Sequence, residues 1–181
     1  SDAARDRRFD VVTMFHMFGY ILEPVTFLRE LRSKMAAGGT LVVGVPHASD
    51  FLATFLDIDA FRKFTYSSEQ LVVHTRASLQ ALLADGGFRV ATITGHQRYP
   101  LANHLHWLLQ GRPGGHRVWS QLRTSALDAA YADMLAGIES VTNLEATVTA
   151  AFAETPDAPL ATTPLAIAVT PLGTTSTLTQ D

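Results

Sequence analysis

The stretch KMAAGGTLVVGVPH, residues 34–47, decides the fold. A helical run ends there in two glycines, Gly38 and Gly39, and an unbroken apolar strand follows, stopping at Pro46 and His47. A strand that is apolar at successive positions is buried on both faces, the property of parallel sheets covered by helices. Upstream, FDVVTMF (Phe9–Phe15) has the same character. Between the two, PVTFLRELRSKMAA places Val25, Phe27, Leu28, Leu31 and Met35 near helical spacing, with Pro24 suited to the first turn. Gly38 and Gly39 are expected to close that helix, because glycine tolerates the left-handed cap. Strand, helix and strand in this order form a βαβ unit, so the first two strands are expected to be parallel and adjacent.

Outward from that unit the reading is less regular. Residues 48–68 carry Phe51, Phe55, Phe61, Phe64 and Tyr66 and read as an insertion or lid over the sheet edge. RASLQALLADGGF predicts a helix capped by Thr75 or Ser78 and closed by Gly86 and Gly87. FRVATITGHQ predicts a strand, LANHLHWLLQ a short helix, and GRPGG a loop. Residues 125–154 predict one long helical stretch, broken near Gly137 or Asn143, and PLAIAVTPL predicts the last strand, over 165–169. The expected architecture is a single α/β domain over 1–172 with helices on both faces of the sheet, followed by a polar tail over 173–181.

Composition narrows the classes of function. The chain has 181 residues, 47% of them apolar and 17% charged, enough for one sizeable core. A net charge of -3 leaves no basic footprint for nucleic acid. Without cysteine, disulfides and thiolate metal sites are excluded, and a cytoplasmic setting is compatible. No apolar run reaches membrane-spanning length. His104 and His106 diverge by about 200° on a helix and cannot both face one metal, so no metal site is expected.

Ligands of open parallel α/β sheets bind outside the carboxyl ends of the strands. Those ends carry Phe15, His16 and Met17 after the first strand and Pro46 and His47 after the second. The segment FDVVTMFHMFGYILEPVTFLRELRSKMAAGGTLVVGVPHASD, with EQLVVHTRASLQALLADGGFRV after it, resembles the second half of a class I S-adenosylmethionine-dependent methyltransferase. The stretch QRYPLANHLHWLLQGRPGGH resembles the subgroup that methylates sugars and other small molecules.

The resemblance implies a partial Rossmann-like fold, mostly parallel with an antiparallel last strand. It also implies S-adenosylmethionine as cofactor. Phe15, His16 and Met17 would lie beside the cofactor, Tyr20, Gln70, Asn103 and His104 on the acceptor side, and His16 or His47 would act as a base near neutral pH. The family's glycine-rich cofactor loop and acidic ribose ligand belong to an earlier part of its fold, so the chain is expected to be a C-terminal half. Its Leu-Glu-His-like turn reads Phe18-Gly19-Tyr20 here, its Glu-His pair reads Glu69-Gln70, and His74 stands where an aromatic is usual.

Two functions follow as expectations. The first is methyl transfer to a small-molecule or sugar acceptor, with activity of the isolated chain in doubt. The second is a non-catalytic remnant acting as an interaction or binding module. In either case the 9–15 strand is expected to present an open edge, covered by a second copy or by a partner chain.

Overall fold

The computed structural model describes residues 8–66 and 70–150. Four strands form one sheet: β1 (Phe9–Phe15), β2 (Met35–Pro46), β3 (Phe88–His96) and β4 (Asn143–Ala150). Their spatial order is β1-β2-β4-β3. β1 and β2 are parallel neighbours joined by helix α1 (Pro24–Ser33), as the βαβ pattern predicts. β4 runs antiparallel to both β2 and β3, so β1, β2 and β3 all point the same way. This is the mixed, Rossmann-like α/β sheet expected from the sequence.

The core lies between this sheet and helices α1 and α3 (Arg76–Asp85). Met14, Leu41, Val43, Val45, Leu144, Ala146 and Val148 of the sheet pack with Leu28 of α1 and Leu79 and Leu83 of α3. Thr75 caps α3 in a reciprocal box: its hydroxyl accepts from the Ser78 N–H, and Ser78 Oγ accepts from the Thr75 N–H. On the opposite face of β1, Phe9, Val11 and Phe15 remain 53%, 61% and 49% exposed. β1 is an edge strand among the described residues.

Two sequence expectations are corrected. Gly38 and Gly39 do not close α1, which ends at Ser33; they lie inside β2. The register jumps from Phe9↔Met35 to Val11↔Thr40, so β2 bulges there, and Gly38 supplies the left-handed backbone the bulge needs, φ +74°. The second correction concerns residues 143–150, which are strand rather than helix. Leu144, Ala146, Val148 and Ala150 alternate as buried positions between Thr and Glu, the period of two that a strand requires.

The helix expected there, α6 (Ser125–Gly137), stops in a Schellman turn. Ser140 N–H reaches the Leu135 carbonyl and Glu139 N–H the Ala136 carbonyl, with Glu139 at φ 52° in the glycine-favoured region. The strand predicted over 165–169 and the tail over 173–181 lie outside the described residues.

Residues 48–66 are more ordered than a loop. Asp50 caps a π-helical turn (Phe51–Phe55), accepting from Leu52 and Ala53 N–H, and helix α2 (Asp59–Thr65) follows. Leu52 and Phe61 pack on Trp107 of helix α4 (Leu101–Gln110), which with the short helix α5 (Gly115–Val118) stands near the carboxyl end of the sheet. Among the described residues no helix is long and apolar enough to cross a membrane.

Candidate functional site

The carboxyl ends of β1, β2 and β3 meet the amino end of β4. Asn143 is the register partner of both Pro46 and His96 and so marks the centre of this edge. A cleft of about 210 Å³ opens there, lined by His16, Pro46, Phe64, Thr65, Arg98, Tyr99, Thr142 and Asn143. A smaller cavity of about 120 Å³ adjoins it through His16 and Asn143 and also touches Phe15, His96 and Glu145.

His16 takes a left-handed conformation, φ 55°, uncommon for a residue with a β-carbon, and its N–H is anchored on the Gly44 carbonyl at 2.8 Å. The reversal leaves the imidazole exposed on the cleft wall, with Phe15 and Met17 exposed beside it. Phe15 lies over Gly44, where an added β-carbon would meet its ring at 2.5 Å, so glycine is what allows this close approach. Tyr20, in the turn after Met17, is exposed but does not line the cleft.

The other expected site residues are held inside the protein. His47 is buried and its Nδ1–H donates to the Val141 carbonyl at 3.2 Å; burial lowers its pKa. Gln70 Nε2 donates to the Val72 carbonyl, in a segment whose N–H groups at Leu71 and Val72 bind the Gly19 carbonyl. A β-carbon on Gly19 would stand 2.6 Å from the Val72 carbonyl, so the departure from the family turn at this position packs tightly against the 70–72 segment. Asn103 is buried and its Oδ1 accepts from the Gly114 N–H. His104 is buried and engaged at both ring nitrogens. Neither Asn103 nor His104 is in the lining of the cleft. Their partners come from residues distant in sequence, which spacing alone does not reveal.

Sequence reasoning passed over Gln97, Asp50 and Arg98. Gln97 Oε1 takes the Thr142 N–H and hydroxyl, and its Nε2 donates to the Tyr99 carbonyl and to His104 Nε2. This cross-link ties the end of β3 to the start of β4 beneath the cleft. Asp50 is buried, with Oδ1 satisfied and Oδ2 without a hydrogen-bond partner among the described residues, and burial pushes its carboxyl up to about 6. That carboxyl in turn contributes to the raised pKa values of Tyr66 and Tyr131, although burial is the larger cause in both. Among the described residues no group of three histidines and carboxylates is placed to hold a metal ion.

The sheet and its helices are similar to those of solved methyltransferases. A chain of the Haloferax volcanii complex between the Trm112 methyltransferase activator and a methyltransferase superposes with a TM-score of 0.51 at 16% identity, over 83% of this chain and 57% of that one. An S-adenosylmethionine-dependent methyltransferase from Archaeoglobus fulgidus gives a TM-score of 0.47 at 13% identity, over 80% of this chain and 60% of that one. The chain thus spans somewhat more than half the length of these proteins. No curated protein matches it in sequence. Residues 1–93 match the family described as a methyltransferase domain. The chain belongs to that family, the class I S-adenosylmethionine-dependent methyltransferases.

Proposed function

We propose that the cleft at the carboxyl end of the sheet is part of a site for S-adenosylmethionine-dependent methyl transfer to a small-molecule acceptor. The observation that carries this is the exposed, left-handed Phe15–His16–Met17 turn at the point of an α/β sheet where ligands bind, in a chain of the methyltransferase family. The cofactor brings an activated methyl group; the protein's task is to align the acceptor and accept a proton.

The residues present fit part of that cofactor. A cleft of about 210 Å³ is smaller than the ~300–1,000 Å³ of a complete small-molecule site. Phe15, His16 and Met17 would stand beside its methionine end. Of the two histidines read as bases, His16 faces the cleft whereas His47 is buried under it, so His16 is the one proposed for proton acceptance. His47, Tyr20, Gln70, Asn103 and His104 are not in the lining of this cleft.

The rest of the site would come from protein outside the described residues, and the open edge of β1 is where a partner chain or a second copy would lie. The Haloferax structure is a complex with a methyltransferase activator, which is the kind of arrangement proposed. The exposed apolar side chains Phe9, Val11 and Phe15 equally support the alternative, a cytoplasmic interaction module without turnover.

Calorimetric titration with S-adenosylmethionine and S-adenosylhomocysteine tests the reading. Weak binding by this chain is expected, weakened further by His16→Ala and not by His116→Ala. The reverse order would remove His16 from the site.

A further inference from the structure

The larger cleft has a definite chemical character. Among the described residues its charged or chargeable lining groups are Arg98 and His16, and no carboxylate lines it. Arg98 lies over the Tyr99 ring, its guanidinium carbon 5.6 Å from the ring centre, and has no carboxylate partner among the described residues. The ring fixes one face of the guanidinium and leaves its N–H edge for a ligand. Phe64, Tyr99 and Pro46 give the cleft apolar walls. Thr65 is also in the lining, and its buried hydroxyl has no hydrogen-bond partner among the described residues.

We infer that this cleft selects a small acceptor with an apolar or aromatic body and a carboxylate, the carboxylate held by Arg98 and the body lying between Phe64 and Tyr99. The inference rests on the proposed methyl-transfer reading and narrows its acceptor from small molecules in general to carboxylic acids, away from neutral sugars. A guanidinium binds a carboxylate through two parallel N–H···O bonds, a geometry that neither a hydroxyl nor an amide reproduces. Arg98 is therefore a specificity-determining residue, and His16, in the same lining, is the group left for the acceptor's reactive end.

The test titrates the full chain with benzoate and with its neutral isostere benzamide, by calorimetry or by nuclear magnetic resonance. Benzoate is expected to bind at least about tenfold more tightly than benzamide, the scale of one charge-assisted hydrogen-bond pair. Arg98→Gln should abolish the preference, Arg98→Lys should keep part of it, and Arg123→Gln, at an exposed arginine outside the cleft, should leave it intact. Circular dichroism confirms that each variant is folded. Equal binding of benzoate and benzamide, or unchanged benzoate binding by Arg98→Gln, overturns the inference.

The cofactor carries a carboxylate of its own, so S-adenosylhomocysteine is titrated with and without benzoate. Mutual exclusion, or a loss of S-adenosylhomocysteine binding in Arg98→Gln that matches the loss of benzoate, would assign the cleft to the cofactor and overturn the inference. Absence of S-adenosylhomocysteine binding removes support from the methyl-transfer reading alone. The benzoate comparison still decides the carboxylate site in that case.

Discussion

His104 Nδ1 lies 2.7 Å from the hydroxyl of Tyr131, and the other side of the same ring receives Gln97 Nε2 at 3.2 Å. Gln97 cannot be turned over, because its oxygen is held by the N–H and hydroxyl of Thr142 and its nitrogen by the Tyr99 carbonyl. His104 Nε2 must therefore accept, and its proton must sit on Nδ1, donating to Tyr131. A second proton on the ring would point at an amide NH₂.

The first prediction follows from that tautomer. Burial holds His104 down to about 4. Nitrogen-15 spectra of the histidine rings should show His104 neutral at pH 6, with its proton on Nδ1. A ring proton on Nε2, or titration near 6.5, would contradict the network. Tyr131→Phe should strand the Nδ1–H and lower stability by ~1–3 kcal/mol, the cost of an unsatisfied buried donor.

Acid stability is the second prediction. His74 and His104 are both held down to about 4 by burial, and His47 is lowered as well. From pH ~6.5 down to about 4 the unfolded chain binds protons at these rings and the folded chain does not, so stability falls as pH falls. Asp50, pushed up to about 6, opposes this: over pH ~4–6 the folded state keeps a proton that the unfolded chain releases. The histidines outnumber the carboxyl, and a net loss on acidification is expected. Asp50→Asn retains a good capping residue and removes a buried charge. It should raise the unfolding temperature at pH 8, by ~1–3 kcal/mol in stability, with the difference closing toward pH 5. A variant less stable than its parent at pH 8 would show that the Asp50 carboxylate is needed.

How much of this was legible in the sequence depends on the range of the interaction. The βαβ unit follows from local periodicity, and the sequence narrows the cap of α3 to Thr75 or Ser78, which the structure joins in one reciprocal box. The left-handed turn at His16 was readable only as a position, because its conformation is set by the Gly44 carbonyl across the strand pair. The break near Gly137 was legible, but β4 was missed because NLEATVTA reads as helix resuming after it, whereas Glu139 takes the left-handed cap position and the chain continues as strand. The Gln97–His104–Tyr131 network joins residues up to 34 positions apart, and no spacing rule connects them.

Two glycines give a third prediction of opposite signs. Gly115 opens α5 directly against the Ala102 carbonyl and the Asn103 backbone, where a β-carbon would collide. Neither obstacle is a flexible side chain. Gly115→Ala should separate α4 from α5 and cost ~1–3 kcal/mol or more, as overpacking does. Gly137, the last residue of α6, has nothing within 4 Å of an added β-carbon. Gly137→Ala should be neutral or stabilise by up to ~1 kcal/mol through helix propensity. Thermal unfolding of the two variants decides; equal effects would contradict the packing of α5 on α4.

The fourth prediction concerns the free edge of β1. A parallel strand with β2 on one side leaves alternate N–H and C=O groups on its other side, and these lack a strand partner among the described residues. Such an edge is a template for pairing with another chain. Here it is joined to an apolar face on which Val11 is 61% exposed. Charge and edge therefore offer a clean perturbation. Lysine at an edge position opposes pairing while tolerating exposure, so Val11→Lys should leave the monomer's fold intact and reduce its association. Light scattering across a concentration series is expected to show the parent chain dimerising or aggregating and Val11→Lys shifted toward monomer. A parent chain that stays monomeric at high concentration, with slow exchange of the outward-facing amides between Val11 and Met14, would mean that another segment of this same chain covers the edge.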